Sequence, residues 1–128
     1  MAHPAEQWNK ERWPESLDAL TAAPAHHRLL LENEWVRVLE TVIHPGDRTA
    51  VHTHRWRAVQ YVCSWSDLIR RDGAGNVLLD SRTVQAPDVG AALWSEPLLP
   101  HSVENIGDHE LRVLVVEIKT PDKQAHGV

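Results

Sequence analysis

The chain has 128 residues, a formal net charge of −5 and a single cysteine. This length suits one domain with its own hydrophobic core. A lone cysteine excludes an intrachain disulfide framework, which agrees with a reducing, cytoplasmic location. No apolar run approaches the roughly 18 residues of a membrane helix, no basic cluster suggests nucleic-acid binding, and residues 1–10 lack the pattern of a secretory signal. We therefore expect neither a membrane nor a nucleic acid as partner.

Residues 1–25 differ from the rest of the chain. They are polar, they include Trp8 and Trp13, and Pro14 precedes a short acidic stretch that predicts a brief helix ending by Pro24. We expect residues 1–25 to form an N-terminal extension packed on the domain or on a second subunit. The main domain is then assigned to residues 26–121, and residues 122–128 are a C-terminal tail.

From residue 27 onward the hydrophobic pattern has a period of two, which is typical of strands. Residues 35–43 and 58–63 are β-branched and half-alternating, and both predict strands. Residues 72–76, Asp-Gly-Ala-Gly-Asn, predict the turn of a hairpin. Nine or ten short strands with little helix favour an all-β closed barrel or jelly roll.

Histidines with strand spacing stand out in this pattern. His52 and His54 are two residues apart, so on a strand both side chains point to the same face. His101 lies about fifty residues further on, where a facing strand can supply a third imidazole. Three imidazoles on one side of an ion leave positions open for water, O₂ or a substrate. The pattern therefore predicts one divalent transition metal at a catalytic rather than a closed structural site.

The same residues resemble the two motifs of a small single-domain cupin. Gly46, five residues, and then His52 and His54 match the start of the first motif, and His101 with Asn105 matches the second. The resemblance covers roughly residues 27–119. It implies a double-stranded β-helix, a jelly-roll barrel, and a homodimer. It does not identify the reaction, because this fold serves enzymes and non-enzymatic binders alike.

Three departures from the cupin pattern bear on the metal. The motif glutamate is absent, since Ala58 and Val59 occupy its two allowed positions; residues 64–66 lack the motif glycine, and residues 96–100 lack the Pro-x-Gly pattern. Three neutral imidazoles leave a divalent ion its full charge, as in the three-histidine thiol and β-diketone dioxygenases that the site resembles. Gln60 shares the strand parity of His52, and some polyketide-cyclase cupins use a glutamine at the metal. It is either a weak fourth ligand, a donor to bound water or substrate, or a hydrogen-bonded core residue.

Other side chains are candidates for the pocket or for the surface. Arg55, Trp56 and Arg57 follow the second histidine, where an arginine could clamp a carboxylate and the tryptophan could wall the pocket. Trp94 either lines the pocket or fills the core. The remaining expectations concern surface groups: Tyr61 and Cys63 face outward, Arg37 and Glu40 form a surface or interface pair, and His26, His27, His44 and His109 are surface histidines rather than ligands.

Together these patterns predict a metal-dependent enzyme acting on a small polar or anionic organic molecule. With iron, dioxygenase chemistry becomes available; with zinc, nickel or manganese, a lyase, isomerase or cyclase fits better, and imidazole ligands suit all of these metals. The alternative is a non-catalytic binding or sensor protein in which the ion only anchors the ligand. The absence of an evident general base favours that alternative.

Overall fold

The computed structural model describes residues 13–119, which form two antiparallel β-sheets. Trp8 of the N-terminal extension and the whole tail at 122–128 lie outside the described residues. The strands are β1 (His27–Glu32), β2 (Val36–Ile43), β3 (His52–His54), β4 (Ala58–Ser64), β5 (Leu68–Asp72), β6 (Val77–Asp80), β7 (Ala92–Ser95), β8 (Leu98–Asn105) and β9 (Leu111–Ile118). The helical turns are two 3₁₀ segments, Glu15–Leu17 and Ser81–Thr83, and helix α1 (Ala19–Ala22).

The strand order is β1-β2-β9-β4-β7 in one sheet and β3-β8-β5-β6 in the other. Because sequence neighbours often lie in different sheets, the chain crosses repeatedly between them, as in a jelly roll. The all-β double-stranded β-helix expected from the sequence is therefore confirmed. The hairpin expected around residues 72–76 is also present, since β5 pairs with β6 across that turn.

The core lies between the sheets and has two apolar clusters. One contains Leu39, Ala58 and Val115 together with Ala19 of α1. The other is built on Ile43, Leu68 and Leu111. Ala19 is fully buried, so the helical turn before β1 closes one side of the barrel. None of the helices in residues 13–119 has the length and apolar character needed to cross a membrane.

Asn105, at the end of β8, fixes the chain near the second cluster. Its buried amide nitrogen donates to the carbonyls of Ile43 and His109, both at 2.8 Å, and its oxygen accepts from Ser66 Oγ and Gly107 N. All of its principal hydrogen-bonding capacity is thus satisfied inside the fold. The asparagine of the second motif therefore has a structural role here.

Candidate metal centre

Four histidines from three strands meet inside the barrel. His52 and His54 lie on β3, His101 lies directly opposite His52 on β8, and His27 begins β1. All four side chains are buried. The ring centroid of His52 is 4.5 Å from that of His27, 5.0 Å from that of His54 and 4.4 Å from that of His101. His52 is therefore the centre of the cluster.

His27 was expected at the surface, and that expectation was wrong. It is 6% exposed, and its ligating nitrogen lies with those of His52 and His54 in a group whose atoms are all within 4.8 Å of one another. His101 stands on the other side, with its ring 5.6 Å from that of His54. Three buried histidines, His27, His52 and His54, could thus hold a metal ion.

The position of His27 in the cluster follows from strand pairing, which the local sequence pattern does not reveal. His27 pairs with Thr41 of β2, and Thr41 faces the interior with Ile43 two residues on. The rest of β1 is exposed, so its sequence shows no buried face to which His27 could be assigned.

Each histidine of the cluster is held through its Nδ1 atom. The acceptors are the carbonyls of Ala23 for His27 (2.9 Å), Ala50 for His52 (2.7 Å) and Leu99 for His101 (2.7 Å), and Glu117 Oε2 for His54 (3.2 Å). A neutral imidazole that donates from Nδ1 keeps its lone pair on Nε2. All four rings are consequently fixed in the tautomer that binds a metal through Nε2, which is how ligating histidines are usually supported.

Burial keeps His27, His52 and His101 uncharged near neutral pH. Desolvation, followed by the charge of His54, lowers the pKa of His27 to about 4 and that of His101 to about 3. The same two causes lower the pKa of His52. Since a metal ligand must be deprotonated, these rings can accept an ion without first releasing protons.

Behind His54 lies a buried ionic network centred on Arg37. Arg37 donates from Nε to Glu117 and from both terminal nitrogens to Asp18, at 2.8 and 2.9 Å. The fully buried Glu117 thus binds Arg37 with one oxygen and His54 with the other. The expected surface pair of Arg37 with Glu40 is not formed, because Glu40 binds Arg28 and Arg112 instead.

Glu117 lies close to the position where the cupin motif would have its glutamate. Ala58 is directly opposite Glu117 in the pairing of β4 with β9. Burial would raise the pKa of Glu117, but hydrogen bonds and charges from His54 and Arg37 lower it overall, so the carboxylate is ionised. A carboxylate is therefore present next to the cluster, but it supports His54 from behind.

The histidines border a cavity of about 240 Å³ between the sheets. Most of its lining is apolar. Gln60 belongs to the lining, as strand parity predicts, and so does Arg70 of β5, which the sequence did not single out. No aspartate or glutamate is among the lining residues in the described part of the chain.

The other pocket candidates lie outside this lining. Arg57 binds Glu96 at 3.1 Å, and Trp94 is 58% exposed. Trp56 is covered by the guanidinium groups of Arg37 and Arg55, at 5.0 and 4.7 Å from its ring centroid. These side chains accordingly belong to the surface and to the ionic network rather than to the cavity wall.

The fold is that of a cupin domain. The structure is similar to a cupin domain from Bordetella pertussis Tohama I, with a TM-score of 0.61 and 23% identity over 73% of this chain and 92% of that one. It is also similar to an RmlC-like cupin family protein with a double-stranded β-helix fold from Methanocaldococcus jannaschii, with a TM-score of 0.52 and 13% identity over 80% and 84% of the two chains. No family model and no curated protein matches the sequence.

Proposed function

We propose that the protein is a metal-dependent cupin enzyme that acts on a small anionic organic molecule inside the barrel. The observation that supports this most strongly is the set of four buried imidazoles, each held through Nδ1 with its Nε2 lone pair free. His52, His54 and His101, predicted from the sequence, would hold one divalent ion, and His27 would join them. When bound, such an ion supplies Lewis acidity, and redox chemistry as well if it is iron.

The chain's own groups would bind and orient the substrate. The cavity excludes most water with apolar side chains, and Gln60 can hydrogen-bond either a bound water or the substrate. We assign the fourth ligand position to His27 rather than to Gln60, because imidazole is the stronger ligand for iron, zinc and nickel.

The direct test is metal analysis of the untagged protein followed by anaerobic titration with Zn²⁺ and Fe²⁺. We expect about one ion per chain in the wild type and loss of stoichiometric binding in His52→Ala. His27→Ala and His101→Ala should each weaken binding by tenfold or more. The matched control is His44→Ala, since His44 is an exposed turn histidine. A wild type that binds no metal would contradict the whole proposal. A His27→Ala variant that binds metal as tightly as His44→Ala would contradict the assignment of His27 as a ligand.

One observation favours a second candidate, a non-catalytic binding or sensor protein. The described lining contains no carboxylate that could act as a general base. A screen of carboxylates and diketones against the metal-loaded protein separates the two functions. Turnover or oxygen consumption supports the enzyme, whereas binding without turnover supports the sensor.

We also propose that the protein is a cytoplasmic homodimer. Edge strand β1 exposes Leu29, Leu30 and Leu31, each between 43% and 50%, and neighbouring Trp35 is 62% exposed. An edge strand of this kind favours pairing with another copy. Light scattering of the purified protein tests the assembly, and a monomer at micromolar concentration would refute it.

A further inference from the structure

Arg70 is a half-buried charge for which residues 13–119 provide no counter-ion. It lies on β5 and lines the cavity, its Nε is buried without a hydrogen-bond partner, and the guanidinium forms no ion pair within residues 13–119. Its pKa is lowered by burial, and no carboxylate counteracts that shift. A guanidinium whose Nε is buried without a partner is costly to the fold, so it calls for an explanation.

Arg70 is on the same side of the cavity as the histidine cluster. In the pairing of β5 with β8, Arg70 is opposite Val103, two residues from His101, so the two side chains share one face of the sheet. Arg70 and His101 also line the same cavity. One small molecule can therefore reach both.

The charge of the cavity is unbalanced. A divalent ion on the histidines would add two positive charges to that of Arg70, and the described lining holds no carboxylate. Glu117, which contacts His54, and Asp18 are already bound to Arg37. The missing negative charge must therefore come from the bound molecule.

We propose that Arg70 is the anion-binding residue of this cavity, and that the molecule bound there carries a carboxylate on a mainly apolar body. This assignment deepens the proposed function and rests on it for the role of the metal. A planar guanidinium matches a carboxylate in a bidentate pair. The apolar walls, among them Trp65, Leu68 and Val113, fit a hydrocarbon body.

Phenylacetate is a suitable probe, and its neutral amide is the control ligand. A cavity of about 150 Å³ accommodates benzene, so 240 Å³ leaves room for the ring and its carboxymethyl group. Binding of both compounds is measured by calorimetry on the Zn²⁺-loaded wild type and on Arg70→Met, and again after the metal is removed. Arg71→Met is the matched protein control, because Arg71 is the next residue on β5 and binds Glu104 at 2.7 Å.

Phenylacetate should bind the wild type and Arg71→Met at least tenfold more tightly than phenylacetamide does. Arg70→Met should weaken phenylacetate about 10- to 100-fold, the usual range for a hydrogen-bonded charge, and should leave phenylacetamide unchanged. Without ligand, Arg70→Met should melt higher than the wild type, by about 4 °C, since a half-buried charge without a partner is removed. A purely structural arginine would produce the opposite shift.

The outcomes separate this inference from the proposed function. Equal binding of phenylacetate by Arg70→Met and wild type, no preference for phenylacetate over its amide, or binding of neither probe by the wild type would each overturn the role of Arg70. The protein could instead take up no metal and still bind phenylacetate through Arg70. That result would support the role of Arg70 and refute the metal-dependent enzyme.

Discussion

The buried Arg37 on β2 and the half-buried Arg70 on β5 lie in different sheets and have opposite surroundings. Arg37 donates to two carboxylates, and Arg70 has no protein partner in the described chain. Burial alone would lower the pKa of both guanidinium groups; Asp18 and Glu117 raise that of Arg37, and that of Arg70 remains lowered. The charge of Arg37 is satisfied within the fold, whereas that of Arg70 is left for a ligand to satisfy, as proposed above.

The largest expected effect on stability comes from removing Arg37, the arginine that has carboxylate partners. Arg37→Met removes the arginine that binds both buried carboxylates, leaving Asp18 only the longer contact with Arg55 at 3.7 Å. Removing one member of a buried ion pair costs about 3–5 kcal/mol, so we expect the free energy of unfolding in urea to fall by that amount. Arg112→Met removes a partner from Glu40 at an exposed position, where water screens the ion pair, and should cost far less than Arg37→Met.

This result would also separate the two arginines. Arg37→Met should destabilise the protein where Arg70→Met stabilises it, although both changes remove one arginine from a strand. If both variants lose stability equally, the distinction between a structural and a ligand-binding arginine fails.

A second prediction uses acid to separate the histidine cluster from the ionic network. In the metal-free protein the pKa values of His27 and His101 lie at about 4 and about 3, below the ordinary 6.5. Their contribution to stability is complete above pH 6.5 and declines as pH falls from 6.5 towards those values. The slope is about 1.4 kcal/mol per pH unit for each histidine.

The carboxylates behave differently. The pKa values of Asp18 and Glu117 are lowered from 3.8 and 4.5, so the stability they contribute is lost only as pH falls below those ordinary values. Urea titrations of chelator-treated protein between pH 7.5 and 5 therefore report the histidines alone. His27→Gln should reduce the slope and His44→Gln should not; constant stability over this range would contradict a buried neutral cluster.

Much of the fold and part of the cluster could be predicted from the sequence. Period-two patterning identified the strands, and the spacing of His52 and His54 placed both on one face. The cupin-like motifs supplied His101 and Asn105. These features are local or belong to a motif with fixed spacing. They can therefore be predicted without knowing the order of the strands in the sheets.

The groups that were missed depend on which strands are neighbours. His27 reaches the cluster only through the pairing of β1 with β2. Glu117 did have a local signal, because it continues the inward series Leu111, Val113 and Val115 on β9. A charged residue at such an inward position predicts a buried partner, but only the pairing of β2 with β9 shows that this partner is Arg37.

The smallest predicted effect tests whether the ionic network of Arg37 and Glu117 supports metal binding by His54. In Glu117→Gln, the amide oxygen should accept from Arg37, which can only donate, and the amide nitrogen should then face His54 Nδ1. That orientation makes His54 donate from Nε2, the tautomer that does not bind a metal. Loss of such a supporting carboxylate typically lowers metal affinity 10- to 100-fold, and competition with a chromogenic chelator would measure it.

Glu40→Gln is the matched control for this change, since Glu40 also binds two groups through its carboxylate but does so on the outer side of the same sheet. It should leave zinc affinity unchanged. If Glu117→Gln binds zinc as tightly as Glu40→Gln, the link from Arg37 through Glu117 does not orient His54. The ionic network would then serve only the fold, and metal binding would depend on the carbonyl-held rings of His27, His52 and His101 alone.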